Sequence, residues 1–175
     1  MSILEHFSVP YIGIKDGLHQ YQFKADSSFF ALFENSPIIE GDFDIHVNLD
    51  KRSGLSELDF DINGHVSALC DRCLADIRLP VSAKNHILVK VSNKISEDDE
   101  VIFIKEDHSH LDLSQIIYEF IVLALPLMNI YSCENEEPRK CDMNVLKKLS
   151  EDVKIDTEPT INKIWENLKD INLDE

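Results

Sequence analysis

Phe43-Asp-Ile-His-Val-Asn-Leu49 and Leu58-Asp-Phe-Asp-Ile62, continued by Val66-Ser-Ala-Leu-Cys70, carry apolar side chains at every second position with polar or charged ones between, Leu69 excepted. A period of two marks half-buried antiparallel strands, because successive side chains leave a pleated backbone on opposite faces. Arg52-Ser53-Gly54 supplies the turn between the first two runs. Gly64, inside the second pattern, predicts a bulge or sharp bend. Downstream, Ile77 to Val81 and Ile87 to Val91 read as a strand pair, and Val101 to Ile104 as one more strand. Upstream, Phe7 to Ile14 and Leu18 to Ala25 read as two strands joined at Lys15-Asp16-Gly17, whose Asp-Gly pair is hairpin chemistry.

Helical signals are fewer. Asp26 or Ser27 caps a short helix with Phe29, Phe30, Leu32 and Phe33 on its apolar face before Pro37. The strongest helix starts at Asp112, an N-cap with Gln115 three residues on as in a capping box, and runs to Leu125-Pro126. Leu113, Ile116, Ile117, Phe120, Ile121, Leu123 and Ala124 make it apolar around much of its circumference, so it should be largely buried. Its single charge, Glu119, would then need an arginine or backbone donors as partner. After a polar loop from Cys133 to Cys141 comes a short helical stretch, Asn144 to Leu149. A charged linker, Glu151 to Pro159, leads to an amphipathic helix with Ile161, Ile164, Trp165, Leu168 and Ile171 on one stripe. Packing back onto the domain is the favoured use of that stripe, insertion into a partner's groove the alternative. No internal repeat is visible.

The pattern therefore predicts an α+β domain over residues 1–150: an antiparallel sheet, open or curled towards a barrel, with one buried helix. Residues 151–175 form an acidic linker and a C-terminal helical tail. The start of the chain has no basic segment followed by an apolar one, and no stretch approaches the roughly 20 apolar residues that cross a bilayer. A cytoplasmic protein without membrane contact is expected. There thiols stay reduced, so the four cysteines are better explained as ligands or buried residues than as a disulfide framework. A formal charge of −16 argues against RNA binding through a broad basic surface, which depends on clustered Lys and Arg. Acidic runs at 42–44, 57–61 and 97–100 read first as solvated faces and a loop, with docking of a basic partner the functional alternative.

Cys70-Asp-Arg-Cys73 is the main chemical candidate. Glycine-rich phosphate loops, a nucleophile elbow and a His-Glu-x-x-His helix are all missing from the sequence. His6, His19 and His46 stand isolated in strand-like segments, and His108-Ser-His110 could contribute a metal ligand from a loop. Arg72 would lower a thiolate pKa, yet redox pairs open a helix in a βαβ unit, whereas this pair follows an alternating strand. Zinc is the other reading: Cys70 and Cys73 with Cys133 and Cys141 would make a four-thiolate site. Closing the loop between the half-sites costs on the order of 4 kcal/mol, less than the roughly 10 kcal/mol a structural zinc contributes. The eight-residue spacing of Cys133 and Cys141 is not a knuckle, which leaves reduced cysteines as the competing explanation.

Cys70-x-Arg-Cys-Leu74 after alternating strands, then Asp112-Leu-Ser-Gln-Ile-Ile-Tyr-Glu119 closing at Leu125-Pro126, then further cysteines, resembles the bacterial and plastid YceD family, named for large ribosomal RNA subunit accumulation. The likeness is strongest from about Cys70 to Cys141. It implies a cytosolic accessory factor for 23S ribosomal RNA processing or large-subunit assembly, with no established enzymatic activity. The family's motif falls on Cys70, Arg72, Cys73, Glu119 and Pro126, with Cys141 at a downstream cysteine position. Many relatives have a compact Cys-rich knuckle where this chain has only Cys133 and Cys141. The resemblance and the charge together point to action through ribosomal proteins or rRNA-processing factors, with Arg72 and Glu119 as partner contacts. The competing classes are a thiol- or metal-dependent enzyme using Cys70 and Cys73, and a metal-free protein-interaction module.

Overall fold

Phe43, Ile45, Val47 and Leu49 lie on one face of β3 (Gly41–Lys51), opposite Leu58, Phe60 and Ile62 of β4 (Leu55–Leu69), in a computed structural model that describes residues 6–92, 101–104, 109–130 and 141–151. The register pairs Leu49 with Leu58, Val47 with Phe60 and Ile45 with Ile62, so two alternating patterns bury one common face. β2 (Gly17–Ala25) adds Tyr21 and Phe23 to that face opposite Val47 and Ile45. On the other side, β5 (Asp76–Val91) sets Ala83, Val81 and Leu79 opposite Ile62, Gly64 and Val66. β6 (Val101–Ile104) completes a five-stranded sheet in the order β2-β3-β4-β5-β6.

The α+β class stands, with three differences in the sheet. Among the described residues it is open, with β2 and β6 as its outer strands, rather than closed into a barrel. It is mixed, because β6 runs parallel to β5. The expected pair at 77–81 and 87–91 is one continuous strand, whose inward positions 83 and 85 hold only Ala83 and Asn85 and so hide its continuity. Pro80, which cannot donate to a ladder, sits where β5 has β4 on one side and no described strand on the other.

The N-terminal hairpin is not formed. β1 (Ser8–Pro10) pairs with β7 (His110–Asp112), and β2 pairs with β3. Gly13 and Gly17 both take positive φ, which lets the chain turn away between β1 and β2. Tyr11 anchors this crossing by donating from its hydroxyl to the buried Ser56 Oγ at 2.8 Å.

Gly64 makes no bulge. β3 and β4 stay in register through it, Phe43 lies directly opposite, and the ring occupies the space a side chain would need.

α1 (Ser27–Phe30) covers the buried face with Phe29 and Phe30, and Phe30 meets Phe43 edge to face. Asp26 is its N-cap, accepting from the Ser28 and Phe29 backbone N–H groups. The Ser28 hydroxyl, chiefly, holds this carboxyl below its ordinary pKa. A depressed folded-state pKa stabilises above the unfolded value and is lost as pH falls through the folded one. Asp26→Ala should therefore cost about 1 kcal/mol at neutral pH, and the difference from wild type should shrink below about pH 4. Urea denaturation of both proteins at pH 7 and pH 3 checks this.

α2 (Ser114–Leu123) follows β7 and packs against β5. The N-cap position falls on Leu113 rather than Asp112, although Asp112 still accepts from the Ser114 N–H at 2.9 Å, and Gln115 donates to Glu119 at 2.7 Å instead of reaching back. Leu113, Ser114, Ile117 and Ile121 are buried and Leu123 is exposed, so the helix is buried on one side only. Glu119 lies on the outer side and is exposed, which removes the need for a buried cation. α3 (Met143–Glu151) is capped by Asp142, and its Leu146 packs against the core. Cys133, the acidic run at 97–100, His108 and the C-terminal helix from Ile161 to Ile171 lie outside the described residues.

Candidate functional site

The cysteine motif is the turn that joins β4 to β5. Leu69 pairs with Asp76, the Cys70 N–H donates to the Ala75 carbonyl at 2.9 Å, and the Leu74 N–H donates to the Cys70 carbonyl at 2.8 Å. Closing the turn puts Leu74 in the left-handed region at φ 58, a conformation that disfavours a side chain. Cys70 and Cys73 are buried and stand outside any disulfide. Thiol chemistry needs a sulfur that a substrate can reach, and burial gives this pair the character of small core residues.

The zinc expectation is overturned. Among the described residues no three or more His, Cys, Asp or Glu side chains gather where they could hold a metal ion. Cys141 is disulfide-bonded, so its sulfur is not an available thiolate, and Cys70 with Cys73 supplies two ligands where a structural site needs four. Cys133 falls outside the described residues.

A hydrogen-bonded clamp ties the turn to the segment after α2 instead. The Asp71 N–H donates to the Asn129 carbonyl at 2.9 Å, and the Asn129 N–H donates back to Asp71 Oδ2 at 2.7 Å. Nothing in the local spacing of Asp71 announces a partner so far along the chain. The only hint is an acidic residue inside a turn, where a side-chain oxygen commonly takes backbone N–H groups. Asp71→Ala leaves the Asn129 N–H without its carboxylate. Hydrogen exchange at that amide should rise on the order of tenfold, the equivalent of about 1.4 kcal/mol.

Around the clamp the surface is mixed. Arg72 is half-buried within the turn. A groove of about 570 Å³ runs beside it, lined by Ile39, Glu40, Ser67, Leu69, Asp76 and Arg78. Arg78 hydrogen-bonds the His65 ring across the strands at 3.0 Å. Glu119 sits apart from this turn in sequence and element, on the exposed side of α2.

The outer face of the sheet is polar and nearly charge-matched. Lys24 pairs with Asp44 at 3.3 Å, Arg52 with Asp50 and Glu57, and Lys84 with Asp61 at 3.6 Å, while His86 Nδ1 lies 2.8 Å from Asp59. Pairs this exposed contribute little to stability. Their effect is to leave no run of unopposed cations on this face. Much of the excess negative charge belongs to 97–100, 134–137 and the tail.

The family model described as "Large ribosomal RNA subunit accumulation protein YceD" matches residues 58–172, from near the start of β4 to near the end of the sequence. The chain belongs to the YceD family. The matched region takes in the cysteine turn, its clamp and α2, the same elements that carry the sequence motif. A curated relative is the "Uncharacterized protein YlbN" of Bacillus subtilis (strain 168), 33% identical over 92 residues, which is 51% of this chain and 51% of that protein. The chain thus spans about half the length of the curated relative it matches. No solved structure matches it. No helix among the described residues is long and apolar enough to cross a membrane.

Proposed function

We propose that this YceD-family chain is a non-enzymatic accessory factor in accumulation of the large ribosomal RNA, acting in the cytoplasm in 23S processing or large-subunit assembly. The family match over 58–172 is the observation that carries this reading. Burial of both motif thiols supports a structural rather than a chemical role for Cys70 and Cys73.

The route is through protein partners, either basic ribosomal proteins or rRNA-processing factors. Phosphate recognition needs several cations free to displace counterions, and on the outer sheet face Lys24, Arg52 and Lys84 each face a carboxylate already. The excess of carboxylates suits a partner of opposite charge. Within this reading Arg72, held in the clamped turn, and Glu119, exposed on α2, are the proposed contacts. Residues 1–150 form the working domain and 151–175 an appended acidic segment.

Affinity capture of the tagged chain from growing cells tests the proposal. Large-subunit proteins or processing factors should co-purify, together with 23S precursors that are lost after ribonuclease-free high-salt washing. Recovery of none of these would remove the ribosomal reading.

A further inference from the structure

Apolar side chains are exposed on the two segments that the Asp71–Asn129 hydrogen bonds join. Leu69 and Leu74 project from the β4–β5 turn region, and Leu127, Met128 and Ile130 from the segment after α2, with Leu127 at 104% and Met128 at 66% relative exposure. The Asp71–Asn129 clamp holds these two segments together, so the surface is set before anything binds. Leu74 keeps its apolar side chain outward from a strained backbone position, where glycine would relieve the strain.

We propose that the C-terminal stripe of the same chain, Ile161, Ile164, Trp165, Leu168 and Ile171, docks as an amphipathic helix on this surface. Its spacing is that of a helix laid on an apolar groove. The family match runs to residue 172, so the matched span contains both the clamped turn and the stripe. Residues 152–160 reach about 30 Å when extended, against a radius of gyration near ~15 Å for a domain of this size. A tether of that length presents the stripe at an effective concentration near ~1 mM, ahead of a partner in dilute solution. Two apolar surfaces in one chain, each an association hazard alone, are satisfied by one another. A partner or a second copy is the rival occupant. The inference stands independently of the ribosomal role.

Trp165 is the chain's single tryptophan, so its fluorescence reports the stripe alone. In the full-length protein its emission should be blue-shifted and poorly quenched by acrylamide, and unchanged over a hundredfold dilution. Substituting Leu127→Asp and Met128→Asp together, at exposed positions that the core does not need, should move the emission to that of hydrated tryptophan and raise quenching several-fold. Leu18→Asp, exposed near the opposite end of the sheet, should change nothing. Far-ultraviolet circular dichroism confirms that each variant is folded. A wild-type Trp165 as quenchable as in the double variant overturns the proposal in favour of a separate partner. A blue shift that fades on dilution overturns it in favour of a second copy.

Discussion

Gly64→Ala is expected to destabilise the domain by about 3 kcal/mol, the upper part of the range for forcing atoms into a filled site. A Cβ at this position would meet the Phe43 ring at 2.5 and 2.6 Å and would overlap the Asp42 carbonyl oxygen more closely still. The Asp42 atom is backbone in the paired strand, so it cannot rotate away, and Phe43 is fully buried against Phe30. Relief requires β3 and β4 to separate where both are central strands. Gly64 is not among the residues with positive φ, so the substitution brings no backbone strain of its own. Alanine's smaller unfolded-state entropy favours the variant by only about 0.4–1 kcal/mol, and the steric term wins. Urea denaturation should show the loss directly. In a Phe43→Ala background the same change should cost roughly 1 kcal/mol less, because the ring is gone while the Asp42 carbonyl stays. A Gly64→Ala protein within 0.5 kcal/mol of wild type would mean that the strands do not approach this closely.

Gly64 also shows where sequence reading reached and where it stopped. The alternation from Phe43 to Cys70 located two strands and their buried faces, since apolar residues at every second position, separated within each run by polar or charged ones except at Leu69, leave a single solution. It could not separate a glycine that bends a strand from one that makes room for a facing ring, because that depends on the residue across the ladder. The strand read at Phe7 to Ile14 exists only as Ser8–Pro10, and its pairing was illegible for a related reason: its partner lies far along the chain at His110–Asp112. Asp16-Gly17 has hairpin chemistry, but hydrogen bonds to β3 outweigh it. Glu119 was misplaced because Phe120, Val122 and Leu123 make α2 apolar nearly all round. The angle settles it: Glu119 stands about 200° around from Ile117, with 100° per residue, so it faces outward. The cysteine spacing was plain, whereas its structural use was not. Cys70 and Cys73 close a strand turn, and the link to the segment after α2 runs through Asp71 rather than through sulfur.

Phe29→Ala should remove about 4 kcal/mol, within the range for truncating a buried phenylalanine, and lower the melting temperature by roughly 10 °C. Phe29 is 1% exposed, with ring centroids of Phe7, Phe33 and Phe30 at 4.5, 5.2 and 5.3 Å. Through these it joins three pieces. Phe7 leads into β1 and stacks on Phe23 of β2, Phe33 stacks on Tyr118 of α2 at 3.9 Å, and Phe30 reaches Phe43 of β3. α1 spans only Ser27–Phe30, far too short to hold a helical conformation by itself. Its position therefore rests on ring burial, and the Asp26 cap, at about 1 kcal/mol, is the smaller effect. Leu32→Ala is the control: 45% exposed just beyond the same helix, it should change stability by less than 0.5 kcal/mol. Equal losses at Phe29 and Leu32 would mean that the aromatic layer is loosely held. A large loss at Phe29 alone would fix it as the joint at which α1, α2 and the N-terminal segment close over the sheet.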